Sequence, residues 1–389
     1  MKIFHDKLKI SAQDSTTKRR KRRDGIQHND IQLIPEDIIM DILSRLPIHS
    51  LFQCTLVSKA WRDMIVHNPI FATMQHNRAL ENQNNTLLMF SHVNSPEVNL
   101  YLVEREAAGL RKLRVMDAKL TDHTCFNDRP EILGSCNGLL CISFYRGHRV
   151  YISNPITGEC KKLPSKERSC DALVIGIGFD SARKEYKVVR RVFIHEKPFS
   201  QKIEIHTLGT SSWRQVVNFP WSDRRGSLND FSDVLVNGSL HWCSRHQKPL
   251  HITSLDMSDE QFGVVPTPEL TSRGDIHLMA WKGFLTMTQQ LWVDNSMHVW
   301  VMKEYNVKES WTKQINVTMP TWLFGGVNYW PFDDDTLVDD IRAFDHPRLG
   351  ADSRTFCGLG VMAHTASLVS LKKYRGRGKV GRMKFLPIQ

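Results

Sequence analysis

The chain has 389 residues, of which 41% are hydrophobic and 24% charged, a globular balance with length for a small module plus one large domain or two modest ones. Its formal charge of +11 sits in the termini: residues 1–30 carry +5 and residues 371–389 carry +7, which leaves the body near neutral, at about −1. That distribution argues against the broad basic face that nucleic-acid binding uses, and no apolar run approaches the roughly 20 residues that span a bilayer.

The first ten residues, MKIFHDKLKI, alternate charged and apolar side chains and lack the apolar stretch of a signal peptide. A soluble chain in the nucleus, the cytoplasm or both is therefore expected. Residues 1–30 read as a disordered basic arm in which Lys18, Arg19, Arg20, Lys21, Arg22 and Arg23 match a nuclear-import signal. A solvated arm with incidental phosphate affinity fits the same run equally well.

From Leu33 to Phe71 the pattern turns helical. Pro35 stands at the first helical position, with Glu36 and Asp37 in the first turn, where the helix dipole favours negative charge. Ile38, Ile39, Ile42, Leu43 and Leu46 follow at helical spacing until Pro47 stops the run. A second short helix opens near Ser50 and carries Leu51, Cys54 and Val57. Ser58 caps a third, with Trp61, Met64 and Ile65 on one stripe, ended by His67, Asn68 and Pro69. Three short helices cannot hide this much apolar surface, so the stretch calls for a protein partner; the alternative is a bundle packed on its own chain.

These residues resemble the F-box. Ile34-Pro35 stands for the family's leading Leu-Pro, EDIIMDILSRLP for its acidic helix, and Val57-Ser58-Lys59-Ala60-Trp61-Arg62 for its signature, with Asn68-Pro69-Ile70-Phe71 closing the match. Ile34 replaces the leading Leu with little change of volume, and Ile48-His49 replaces the usual Val-Lys, which removes a charge. The resemblance implies docking on a Skp-family adaptor. Candidate contacts, or residues that shape the contact, are Ile34, Pro35, Ile38, Ile42, Leu46, Pro47, Leu51, Val57, Ser58, Lys59 and Trp61. Some of them must instead hold the helices to one another.

After a linker over 76–86, short alternating runs punctuated by Gly, Asn, Asp and Pro replace the helical period. A hairpin recurs as VYISNPITGECKKLP, IEIHTLGTSSWRQV, ITSLDMSDEQFGVVP, VWVMKEYNVKESWTKQINV and IRAFDHPRLGADSRTF. The post-turn residues Cys160, Trp213, Phe262, Trp311 and Phe356 lie 53, 49, 49 and 45 apart. A second element, a Gly turn followed by an apolar strand, recurs at Cys136-Asn137-Gly138-Leu139-Leu140, Val236-Asn237-Gly238-Ser239-Leu240 and Trp281-Lys282-Gly283-Phe284-Leu285. About four strands per fifty residues is a propeller-blade period, and LLMFS…VNLYLVE (87–104) reads as a weaker early copy, giving about six blades.

This region resembles the plant F-box-associated domain through Gly134-Ser135-Cys136-Asn137-Gly138-Leu139, Ser153-Asn154-Pro155, Gly178-Phe179-Asp180, Glu185-Tyr186-Lys187-Val188-Val189 and Ser367-Leu368-Val369-Ser370. It is kelch-like in period but lacks the Gly-Gly doublets of true kelch repeats. The expected architecture is an α+β multidomain chain: a three-helix F-box over 31–75, an all-β, kelch-like β-propeller over 87–371, and a disordered basic tail over 372–389. The resemblance implies the substrate-recognition subunit of an SCF-type ubiquitin ligase, joined to cullin through the adaptor. The alternative is an F-box scaffold or nuclear adaptor acting outside a cullin ligase.

Trp213, Trp242, Trp281, Trp300 and Trp311 lie in strand patterns and read as blade core. Two stretches break that pattern and are candidate target-binding loops. Residues 218–230 hold Trp221, Arg224 and Arg225, and residues 318–340 hold Trp322, Phe324, Tyr329 and Trp330 ahead of Asp333, Asp334 and Asp335. For the second stretch, a covered strand with a solvated acidic turn is an equal alternative. No P-loop, nucleophile elbow, dinucleotide fingerprint or metal-ligand spacing is found, so no cofactor, no metal and no catalysis are expected of this chain. The eight cysteines show no CxxC and read as reduced core residues.

Overall fold

The computed structural model describes residues 34–81 and, within 86–382, all residues except 92–97, 107–108, 119–130, 145–148, 165–170, 195–199, 217–233, 244–249, 271–273, 282, 292–295, 319–359, 366 and 375–379. Four α-helices come first: α1 (Glu36–Ser44), α2 (Ile48–Cys54), α3 (Lys59–His67) and α4 (Pro69–Glu81). Pro35 lies one position ahead of α1 and caps it, its carbonyl accepting from the Ile38 and Ile39 N–H groups. Ser58 caps α3, its Oγ accepting from the Trp61 N–H at 3.1 Å.

The fourth helix departs from the sequence expectation of a helix end at Asn68-Pro69 and a linker over 76–86. The same two residues also make a start. Asn68 Oδ1 accepts from the Ile70 and Phe71 N–H groups, and Pro69 needs no hydrogen-bond acceptor in the first turn. Arg78 then ties α4 back to α1 through Asp41 and Ser44.

The strands follow as β1 (Thr86–Ser91), β2 (Val98–Glu106), β3 (Gly109–Ala118), β4 (Glu131–Cys136), β5 (Leu139–Phe144), β6 (Arg149–Asn154) and β7 (Glu159–Lys162). Next come β8 (Asp171–Asp180), β9 (Glu185–Ile194), β10 (Ser200–Thr207), β11 (Arg214–Gln215), β12 (Val234–Val236), β13 (Ser239–Cys243), β14 (Ile252–Asp256) and β15 (Phe262–Val265). The last are β16 (Gly274–Trp281), β17 (Phe284–Leu291), β18 (Ser296–Met302), β19 (Trp311–Thr318), β20 (Gly360–His364) and β21 (Val380–Arg382).

Among the described residues they form five antiparallel sheets: β20-β1-β2-β3, β21-β7-β6-β5-β4, β11-β10-β9-β8, β12-β13-β14-β15 and β16-β17-β18-β19. Each recurring hairpin falls where its pattern placed it, as β6–β7, β10–β11, β14–β15 and β18–β19; the copy at 341–356 lies outside the described residues. The Gly elements are the inner hairpins β4–β5, β12–β13 and β16–β17. In two of them Asn and Gly both take the positive φ that a type I′ turn requires, at Asn137 (47°) with Gly138 (79°) and at Asn237 (50°) with Gly238 (74°).

The outer hairpins share another device. Asn154 and Asp256 each accept from the backbone N–H groups two and three residues on, as Asp180 does at the β8–β9 turn. Four residues after each of these lies a left-handed position, at Gly158, Lys184 and Glu260.

The tail beyond residue 371 is also more ordered than expected. Leu371–Tyr374 forms a one-turn 3-10 helix with Leu371 fully buried, and β21 pairs with the open edge of β7. An unpaired edge strand satisfies its backbone groups by accepting such a partner. Trp213, Trp242 and Trp311 are buried as blade core, and Trp300 packs against it half-buried; the Trp281 side chain lies outside the described residues. Cys136, Cys141, Cys160 and Cys243 are free thiols buried in the sheets, and burial pushes the Cys160 thiol up to about 12.

Candidate docking faces

The helical module has two apolar faces. One is a core of Leu43, Ile48, Leu51, Met64, Ile65 and Phe71 that runs without a break into Leu140, Ile142, Ile156 and Leu368 of the second sheet and its neighbouring segment. Part of the surplus apolar surface is thus covered by the protein's own β domain. The other face stays in solvent: Ile34 is 42% exposed, Ile38 47%, Ile42 52% and Val57 64%. Ile38 and Ile42 lie four apart on α1 and so share one face of it, and Ile34 stands just ahead of the Pro35 cap.

The structure sorts the residues singled out from sequence. Ile34, Pro35, Ile38, Ile42, Pro47, Val57 and Lys59 are exposed, Leu46 and Trp61 pack partly buried against the core, and Leu51 is fully buried. Ser58 is committed to its cap. The sequence reading missed Phe52, Leu56, Val66 and Ile70, all exposed. Phe52 and Leu56 stand four apart, a signal that helical spacing alone offers.

In the β domain, antiparallel pairing sends the first and third turns of each of the second to fifth sheets, the recurring hairpins among them, to one end, and the second turns and the connections between sheets to the other. The helical module meets the hairpin end. There α4 leads into β1, and the module's core reaches Ile156 and Leu368. The strand ends that bracket 217–233 and 319–359 open at the opposite end. Trp221, Arg224, Arg225, Trp322, Phe324, Tyr329 and Trp330 belong to those connections and lie outside the described residues, as do Lys18, Arg19, Arg20, Lys21, Arg22 and Arg23.

Polar groups at the hairpin end serve to join sheets. Lys187, 2% exposed, lies 3.0 Å from Asp180 and 2.9 Å from Glu260 and donates to the Met257 carbonyl, linking the third sheet to the fourth. Burial works to raise the Asp180 carboxyl, but hydrogen bonds from the Arg183 N–H and from Lys187 outweigh it and hold the group well below the usual carboxylate range. His241 donates through Nδ1 to the Val234 carbonyl at 3.2 Å and accepts from the Tyr305 hydroxyl at 2.8 Å, while burial lowers its pKa to about 4. Among the described residues no three His, Cys, Asp or Glu side chains are grouped to hold a metal ion, and no helix is long and apolar enough to cross a membrane.

A helical module with an exposed apolar face, its core continuous with a domain of four- and five-stranded antiparallel sheets, is the arrangement of a small helical domain joined to a propeller-type domain. The F-box domain model matches residues 31–73, and the F-box associated beta propeller domain model matches residues 84–340. Among curated proteins, the chain is 30% identical to F-box protein At3g07870 of Arabidopsis thaliana, over 79% of this chain and 78% of that one. It is 27% identical to F-box protein CPR1 of the same plant, over 74% and 73%, and 27% identical to its F-box/kelch-repeat protein At3g23880, over 76% and 84%. The chain belongs to the F-box proteins that carry an F-box-associated β-propeller domain.

Proposed function

We propose that this chain is the substrate-recognition subunit of an SCF-type ubiquitin ligase, docking a Skp-family adaptor through its F-box and a target protein through its β domain. The exposed residues Ile34, Ile38 and Ile42 carry the reading, because they stay in water while Leu43, Leu51, Ile65 and Phe71 of the same module are buried in a core that continues into the β domain. The chain's contribution is positional and not catalytic. Holding a target lysine near the ubiquitin-charged enzyme raises its effective concentration. The topology supports a target at the end away from the F-box, where the connections carrying Trp221 and Trp322 open.

The test is co-purification of the full chain with a Skp-family adaptor and cullin. Ile38→Asp with Ile42→Asp abolishes capture while leaving the unfolding transition within about 0.5 kcal/mol, since exposed positions contribute little to stability. Undiminished capture refutes the docking assignment. Capture of adaptor without cullin favours the scaffold reading over the ligase. The Lys18–Arg23 run is proposed as an import signal that places the protein in the nucleus as well as the cytoplasm. Replacing those six residues with Ala is expected to leave a fluorescent fusion in the cytoplasm.

A further inference from the structure

The C-terminal segment from β20 to the 3-10 helix performs two structural tasks at one place. It completes the first sheet, because β20 pairs antiparallel with β1 from Thr86↔His364 to Phe90↔Gly360 and so joins the two ends of the β domain. It then crosses onto the hairpin end of the second sheet. Asn154 Nδ2 donates to the carbonyls of Ser367 (3.0 Å) and Val369 (2.8 Å), Ser367 Oγ donates to the Asn137 carbonyl (3.0 Å), and Ser370 Oγ donates to Glu159 (2.8 Å).

The F-box rests on this same strap. Leu368 belongs to the core that contains Leu51, Ile65 and Phe71. His76 of α4 lies close enough to His364, the last residue of β20, to disfavour a charge on it. Both rings are buried, and Ser135 Oγ lies 2.8 Å from His364 Nδ1.

We propose that residues 360–371 are a coupling strap: closing the propeller and seating the F-box are one cooperative event, so release of the strap frees the F-box to reorient. The inference stands on these contacts and is independent of what the F-box docks onto. A strap shared by two elements transmits loosening from one to the other, because each buries apolar surface that the other leaves exposed when it departs.

A matched pair of turn glycines provides the test. Gly138 and Gly238 occupy equivalent positions with φ of 79° and 74°, so alanine strains both turns alike. A Cβ on Gly138 comes within 2.0 Å of Ser367 Oγ, whereas one on Gly238 meets nothing within 4 Å. Amide hydrogen exchange is followed in the full chain. Gly138→Ala, compared with Gly238→Ala, is expected to speed exchange at least tenfold both in residues 360–371 and in α4.

Faster exchange in the strap with α4 unchanged overturns the proposal. So does equal strap exchange in the two variants, which means that the Ser367 contact does not hold the strap. If Gly138→Ala fails to fold, His76→Ala approaches the same joint from the F-box side. It is expected to speed exchange in residues 360–371 by a comparable factor, and an unchanged strap overturns the coupling.

Discussion

Where the third sheet meets the fourth, a buried lysine is held between two carboxylates and a carbonyl. Where α4 meets the strap and the second sheet, the buried polar groups are the imidazoles of His76 and His364 instead, and among the described residues no carboxylate shifts either of them. The first joint lies between blades of one domain and has its charges matched. The second lies between domains and rests on apolar contact. Separating a buried ion pair leaves an uncompensated charge at a cost of about 3–5 kcal/mol, a penalty that the apolar interdomain joint does not carry, so the interdomain joint is expected to open first. The difference shows where this molecule can open while its sheets stay intact.

The largest effect is expected from breaking the matched joint. Lys187→Met removes the buried cation that Asp180 and Glu260 share and leaves each with one more exposed partner, Arg183 for Asp180 and Arg214 for Glu260. The expected loss is about 3–5 kcal/mol, read as a fall in the urea midpoint of the β domain. A loss under about 1 kcal/mol would mean that the network is no stronger than a surface ion pair and that the contrast between the joints is false.

Acid separates the joints without any mutation. Burial lowers the pKa of His76, with the nearby Asn137 side chain working weakly the other way outside hydrogen-bonding geometry, and burial together with His76 lowers His364 to about 3. Among the described residues no carboxylate influences either ring. Their folded values lie below the unfolded value of roughly 6.5, so the unfolded state gains protons first. The stability contributed by these neutral rings is complete above about pH 6.5 and is lost progressively as pH falls from there toward 3.

Asp180 and Glu260 behave differently. Burial opposes the effect on both, yet their partners depress both, so their contribution is complete above the ordinary carboxylate range and erodes only below about pH 4. Hydrogen exchange at pH 5 is therefore expected to rise in α4 and residues 360–371 while residues 180–187 and 256–260 stay protected. His364→Phe should flatten the response of the first pair of segments. Loss of protection in both joints at the same pH would show that the imidazoles are not what makes the interdomain joint acid-sensitive.

The contrast also explains what the sequence made legible. Hairpins were readable because their determinants are local: Asn-Gly at Asn137 and Asn237 sets a turn, and an alternating strand on each side sets the register. The F-box was readable from an ordered run of residues, yet its spacing could not tell Leu51, fully buried in the module's core, from Ile42, left in solvent. Both lie on apolar stripes, and the packing of the helices on one another and on residues far along the chain decides which stripe is covered. Helix α4 was missed because Asn68-Pro69 ends one helix and starts the next. Strands β20 and β21 were missed because they pair with β1 and β7, far away in sequence, and nothing local marks a strand that completes someone else's sheet. The cross-sheet partners of Lys187 are likewise invisible until Glu260, left-handed at φ 62°, turns its side chain toward the third sheet.

The smallest expected effect concerns a repeated joint between blades. Trp213, in the third sheet's outer hairpin, donates its indole N–H at 2.7 Å to the carbonyl of Pro164, which closes the second sheet's hairpin. Trp311, in the fifth sheet, does the same at 2.8 Å to Pro266, which closes the fourth sheet's hairpin. The alternation of hairpins ending in Pro with hairpins entered by Trp therefore reflects a latch that spans pairs of sheets. Trp→Phe keeps an aromatic ring and deletes the donor, so each change should cost about 1 kcal/mol. Trp213→Phe should cost slightly more, because its ring also carries the Arg190 guanidinium at 3.9 Å. The two latches serve different sheet pairs, so the double variant should lose the sum of the single losses within about 0.5 kcal/mol by urea unfolding. A marked shortfall from additivity would mean that strain passes from one pair of sheets to the next, and the matched joint at Lys187, the polar link between those pairs, would be the place to look for its path.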